Sequence, residues 1–239
     1  MKDNISSTLQ ESAKLKKKSG YHHGDLRASI MNAVAQLIGE KRGLNFQLKE
    51  VASLVGTSQP AIYKHFAGKD DLLVETAVEG YNLLKQFRDH AIKLTDGSIL
   101  SIILAIGYSY VNFSCVHSGY FLLMKNLETE EMLSSGRYIN QRREVTSLAF
   151  GLIQQCIDDK LFTDIDKEHA LILLQSTAYG LAHLYITGQI KYIAGKYASN
   201  QRLTIEILVK SMNSLLSTKG KKELLKVQDK LFSSSSDKF

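Results

Sequence analysis

A short stretch of the chain carries the side chains best equipped for chemistry: Ser58, Gln59, Tyr63, Lys64 and His65, closely following Gly56. A carboxamide, a phenol, an imidazole, a hydroxyl and an ammonium group form a set of hydrogen-bond donors and acceptors with a cationic bias. No paired carboxylates or activated nucleophile accompany them. Groups of this kind suit recognition more than bond breaking: amides and ammonium groups read base edges, and hydroxyls, phenols and cations hold phosphate oxygens. The same residues also suit the solvated face of a helical hairpin that merely packs, so the elements around them must decide.

Those elements are two short helices joined by a tight turn. Leu48, Val51, Ala52 and Val55 recur at i, i+3, i+4 and i+7 and give the first helix one apolar stripe. Gly56 then stands where the chain reverses, in a position that favours a left-handed backbone. Thr57 or Ser58 can cap the second helix with a hydroxyl oxygen. Pro60, the one proline in the sequence, falls in that helix's first turn, where its missing N–H removes no bond. Ala61, Ile62 and Phe66 can pack inward, which leaves Gln59, Tyr63, Lys64 and His65 outward. The pattern is a helix-turn-helix.

Charge supports the recognition reading. The chain of 239 residues has a formal net charge of +6, and residues 1–66 contribute +5 of it. The positive charge therefore accompanies the helix-turn-helix, as a phosphate-facing surface requires. Residues 1–19 end in Lys14, Lys16, Lys17 and Lys18 and read as a disordered basic arm, able to reach phosphates or to act as a solubilising leader. They lack the apolar centre of a secretory signal. Cys115 and Cys156 lie far apart in apolar surroundings and read as buried, reduced thiols of a cytoplasmic protein. No nucleophile elbow, glycine-rich phosphate loop or HExxH pattern occurs, so no catalytic residue is assigned. His22, His23 and Asp25 make a poor metal set, and neither metal nor cofactor is expected.

The remainder reads as helical, which makes the fold class all-α. Helix 1 is expected over 24–42, with Gly43 ending it. A long helix starts near Gly68–Asp70 and runs to about His90, with Leu73, Ala77, Tyr81, Leu84 and Phe87 inward. Stretches 98–124 and 169–190 carry no Lys, Arg, Asp or Glu. Each is long enough to cross a bilayer, yet their many polar groups favour buried central helices, and no membrane association is expected. A helix to Asp159 should bury Val145, Leu148, Leu152, Ile153 and Ile157, and a last one should span 201–216. The expected organisation is an arm over 1–19, a helix-turn-helix domain over 20–67, a helical body over 68–218 and a mobile tail over 219–239.

The segment from Tyr21 to Leu73 resembles the DNA-binding region of TetR-family transcriptional regulators, through YHHGDLR (21–27), LKEVASLVGTS (48–58), AIYKHF (61–66) and GKDDLL (68–73). The resemblance implies a homodimer that binds a palindromic operator in double-stranded DNA, usually as a repressor. Helices 4–7 would enclose a small-molecule effector, and the last two helices would form a four-helix dimer interface. Thr57, Ser58, Gln59, Ala61, Tyr63, Lys64 and His65 match positions that face the major groove. Gln59 and Lys64 are then the base readers, while Tyr63, His65 and Lys69 hold phosphates. Where many relatives open helix 2 with Ser or Thr, this chain has Phe46 and Gln47; Gln47 can still donate to a phosphate. Residues 108–124 are similar to a subgroup that often carries Trp-xxx-His-Gly in its penultimate helix, but the matching stretch here keeps only Gly180. Effector-lining candidates are Tyr108, Phe113, His117, Phe121, Phe150, Tyr179 and His183, each of which also suits plain core. A helical enzyme, or a relative that binds a partner protein in place of DNA, are the alternative readings.

Overall fold

The computed structural model describes residues 25–129, 136–197 and 201–233. The basic arm expected over 1–19 and the end of the tail from 234 lie outside the described residues. Eleven α-helices are found among the described residues, with no strand beyond one isolated bridge between Phe162 and Leu216. They are α1 (Leu26–Lys41), α2 (Leu48–Val55), α3 (Gln59–Tyr63), α4 (Lys69–Lys93), α5 (Ile99–Val116), α6 (Ser118–Asn126), α7 (Gly136–Asp158), α8 (Lys167–Ile186), α9 (Ile190–Ala194), α10 (Gln201–Asn213) and α11 (Thr218–Ser233).

The helix-turn-helix forms as its local signals dictate. Leu48, Val51, Ala52 and Val55 are all buried. Gly56 takes the left-handed conformation at φ 69° and closes α2. The Ser58 hydroxyl accepts the Ala61 N–H at 3.3 Å, and Pro60 sits in the first turn of α3. Helix α1 ends differently from the expectation: Arg42, not Gly43, takes the left-handed turn, and its N–H reaches the Ile38 carbonyl.

Two apolar clusters hold the body. One joins the head to α4 and α6 through Ile30, Val34, Ile62, Leu72, Phe121 and Met124. The other joins α5, α7, α8, α10 and α11 through residues such as Leu104, Ile153, Leu181, Met212 and Leu224. The uncharged run 98–124 is not one helix. It breaks at His117, and the break lets α6 turn to lie against α1. Among the described residues, helix α5 alone is long and apolar enough to span a membrane, but Leu100, Leu104, Val111 and Phe113 are buried in the bundle.

Three expectations need correction. Residues 219–233 are not a mobile tail. Helix α11 buries Leu224 and Val227, and a Cβ on Gly220 would stand 2.1 Å from the Leu161 carbonyl oxygen, so the helix lies against that backbone. Leu148 faces solvent, because the buried stripe of α7 runs through Val145, Ile153 and Cys156. Helix α8 is central on one side only: Ala170, Ala178, Leu181 and Ala182 are buried, whereas Ile172, Leu173 and Tyr179 are exposed. Of the cysteines, Cys156 is buried, and burial pushes its thiol up to about 12; Cys115 is exposed.

Candidate nucleic-acid interface and ligand cavity

The outer surface of the head is built by what its inner surface must bury. Ile62 and Phe66 fill the core beneath α3, so Gln59, Tyr63, Lys64 and His65 emerge on the far side, with Tyr63 52% exposed. Ser58 and Gln47 are exposed beside them, and Thr57 and Ala61 are half-buried. Helix α3 is only Gln59–Tyr63; Lys64 and His65 belong to the turn that follows, with the His65 N–H on the Ile62 carbonyl. Ser58 uses its oxygen as the cap and keeps its O–H as a donor. Phe66 is backed by the Arg27 guanidinium, 5.2 Å from the ring centroid, and Arg27 also pairs with the buried Glu75 carboxylate of α4.

Gln47 does not cap α2 with its side chain. The Glu50 carboxylate accepts the Gln47 N–H at 2.7 Å and pairs with Lys41 of α1 at 2.6 Å, and these bonds hold it below the usual carboxylate range. The cap lost with the missing hydroxyl is supplied from the third helical residue, and the Gln47 amide stays outward.

Lys69 is placed beside the head surface but is already engaged. Its ammonium donates to the Leu44 and Phe46 carbonyls at 3.1 and 2.7 Å and lies 4.3 Å from the Phe46 ring centroid. Its visible work is to tie the start of α4 to the loop before α2. Lys69→Ala is therefore expected to lower stability by about 1 kcal/mol through the lost charge-assisted bonds, read as a lower urea midpoint. An unchanged midpoint would show that the ammonium is not committed to that loop.

Behind the head, the body holds a cavity of about 150 Å³ between α4, α5, α6, α7 and α8. Its wall is mostly apolar, with Ile103, Ile106, Leu171 and Leu174 among its residues, and four of its polar residues, Tyr81, Lys125, Glu128 and Arg142, form one connected group that defines its polar end. There the Glu128 carboxylate accepts from Lys125 at 2.8 Å and from the Tyr81 hydroxyl at 3.0 Å, with Arg142 Nε at 3.5 Å. Burial opposes the charge on Glu128, but Lys125, Tyr81 and Arg142 outweigh it and hold the carboxyl below its ordinary range. Burial also pulls the Lys125 ammonium below its ordinary value, an effect partly offset by Glu128. Arg88 is satisfied elsewhere, by the Val145 carbonyl at 2.7 Å and by Asp89.

Of the seven effector-lining candidates, Phe150 lines this cavity. Phe113 and Phe121 are core, and the Phe113, Phe87 and His117 rings pack against one another. Tyr179 stacks on Phe121, and His183 on Tyr179, on the outer side of α8. Tyr108 packs against the second apolar cluster. Among the described residues no cluster suited to a metal ion occurs.

The arrangement defines a helix-turn-helix protein whose reading head is joined to a helical body with an internal cavity. Residues 30–76 match the family profile of bacterial regulatory proteins, tetR family. The head of this chain is thus similar to the DNA-binding domain of that family. A curated relative from Haemophilus influenzae, described as an uncharacterized HTH-type transcriptional regulator, is 32% identical over 90 residues, which cover 37% of this chain and 44% of the relative. The match thus spans less than half of that relative's length. Among solved structures, a protein of unknown function from Rhodococcus sp. RHA1 superposes with a TM-score of 0.68 at 19% identity, over 83% of this chain and all of that one. A TetR family transcription regulator from Marinobacter aquaeolei VT8 does so at 0.64 and 9% identity, over 80% and 95%. At these identities the likeness is one of fold. The matched family is one of regulatory proteins, and the curated relative is described as a transcriptional regulator.

Proposed function

We propose that the protein is a sequence-specific DNA-binding transcriptional regulator, a homodimeric repressor that a small molecule releases from a palindromic operator. The observation that carries the reading is the outward set on and beside α3: Gln59, Tyr63, Lys64 and His65 stand free of the core on a capped helix of a family whose domain is matched here. A two-fold dimer presents two such helices and so selects half-sites about one helical turn apart. Such a protein works in the cytoplasm, on the chromosome.

The effector reading rests on the joint between cavity and head. Helix α6 carries Lys125 into the cavity wall and also meets α1 closely: a Cβ on Gly119 would stand 1.8 Å from the Ala35 carbonyl oxygen. The Tyr120 hydroxyl donates to Asn32 of α1 at 2.8 Å. A ligand that favours one position of α6 thereby favours one position of the head, in proportion to its differential affinity for the two states.

Selection of random duplex DNA by the purified full-length protein tests the reading. An enriched palindrome is expected; retention without sequence preference would overturn it. On the enriched site, Gln59→Ala is expected to cost roughly 1–3 kcal/mol and relax preference at one base position per half-site. A uniform loss on operator and random duplexes would instead assign Gln59 to the phosphates.

A further inference from the structure

We infer that the cavity takes a small monoanion with an apolar body, such as an aromatic or short aliphatic carboxylate, with the anionic group held at Arg142 and Lys125. The inference rests on the regulator reading for its purpose, and on the cavity's own residues for its chemistry.

Size comes first. About 150 Å³ is the volume of a cavity that accommodates a single benzene ring. The enclosed part of the ligand is therefore one ring or a chain of comparable bulk. Ile103, Ile106, Leu171 and Leu174 offer it no hydrogen bonds.

Charge decides the class. Among the described residues, three cations line the cavity, Arg88, Lys125 and Arg142, against the single carboxylate of Glu128. Arg88 is paired with Asp89, to which it donates at 2.7 and 2.9 Å and which Lys85 shares at 3.1 Å. Lys125 and Arg142 then share Glu128, which leaves an excess of one positive charge at the polar end. The excess resides mainly on Arg142, whose guanidinium makes one hydrogen bond among the described residues, the long Nε contact to Glu128 at 3.5 Å. A guanidinium offers five donors in a planar fork that matches a carboxylate.

The alternatives fit less well. A cationic ligand would meet that excess charge at the polar end. A neutral alcohol would supply one acceptor oxygen and leave the charge unbalanced. A monocarboxylate balances it, and it restores the environment of a buried ammonium that lies 5.7–5.8 Å from the Tyr110, Phe121 and Tyr179 ring centroids. Because Lys125 lies in the last turn of α6, an anion there also acts on the helix that meets the head.

The test uses three probes of one shape, benzoate, benzyl alcohol and benzylamine, titrated calorimetrically into the purified full-length protein. Benzoate is expected to bind at least tenfold more tightly than either of the others. Arg142→Gln, a change at a half-exposed residue, is expected to weaken benzoate at least tenfold while leaving the melting curve in place. Ala149→Leu fills the cavity without removing a charge and is expected to abolish benzoate binding. Equal or tighter binding of the alcohol or amine overturns the anionic class, as does the absence of benzoate binding. Benzoate binding unaffected by either variant overturns the site. A parallel titration of protein on its selected operator separates the two readings: benzoate that binds through Arg142 but leaves the operator complex intact supports the anion site and sinks the effector role.

Discussion

Gly119→Ala is expected to lower the thermal midpoint by roughly 10 °C, from a loss of about 3 kcal/mol in a chain of this size. The added methyl would stand 1.8 Å from the Ala35 carbonyl oxygen, 2.6 Å from its carbon and 3.1 Å from the Gly39 nitrogen. All three are backbone atoms of α1, so no side chain can swing away; α6 must lift off α1 or one helix must bend. Gly39→Ala is the matched comparison, because it adds a methyl to the same junction from the other side. Its nearest neighbours would lie at 3.5 Å, an ordinary contact. Alanine also gains helix propensity of about 1 kcal/mol over glycine inside α1. That variant is expected to melt at or slightly above the parent. Differential scanning calorimetry of the two variants decides the matter: equal midpoints would mean that α6 does not approach α1 as closely as described. A folded Gly119→Ala protein with weakened DNA binding would further indicate that the junction sets the position of the head.

The head was legible in the sequence because each of its signals is local. The stripe Leu48, Val51, Ala52, Val55, the turn glycine, the Ser58 cap and Pro60 lie within a few residues of what they determine. The cavity was not, because five helices far apart in sequence build it. Its polar end was nevertheless present in the pattern. Ala77, Tyr81, Leu84 and Arg88 share one stripe of α4, so an arginine stands where an apolar residue belongs. Arg142 likewise precedes Val145 on the inner face of α7, and Lys125 is the first charge after the long uncharged run. Charges in phase with an apolar stripe mark a polar interior, whereas the aromatic residues of α5, α6 and α8 had several packing roles open to them and mostly fill those. Helix α11 was obscured for the opposite reason. Its inward Gly220, Leu224 and Val227 are few and stand among Lys219, Lys221, Lys222 and Lys226, so composition outweighs period until the neighbouring backbone at Leu161 is in view.

Ile172→Glu is expected to leave the protomer folded and to weaken its self-association at least a hundredfold. The family resemblance assigns dimerisation to the last two helices, but Leu208, Val209 and Met212 of α10 and Leu224 and Val227 of α11 are buried within the protomer. Leu225 of α11 and Tyr192 and Ile193 of α9 are exposed, but a face shared by two long helices lies on α7 and α8: Leu148 at 38%, Ile172 at 61%, Leu173 at 40% and Tyr179 at 41% exposure. Gly151 and Gly180 lie within these two helices, and a Cβ on either would meet nothing within 4 Å. Within the protomer, glycine there only weakens a helix; a second copy packed closely against the face gives it a use. Two antiparallel helices from each copy would then form a four-helix contact about a two-fold axis. A charge at Ile172 costs the protomer little, because surface substitutions usually shift stability within about 0.5 kcal/mol. In an isologous interface the same charge is buried twice, and a hundredfold change in Kd corresponds to about 2.7 kcal/mol. Sedimentation velocity at micromolar protein is expected to show a dimer for the parent and a monomer for the variant. Operator affinity should fall with it, because a single head engages one half-site. A variant that stays dimeric with an unchanged sedimentation coefficient would place the interface elsewhere and leave the exposed face of α8 for another partner.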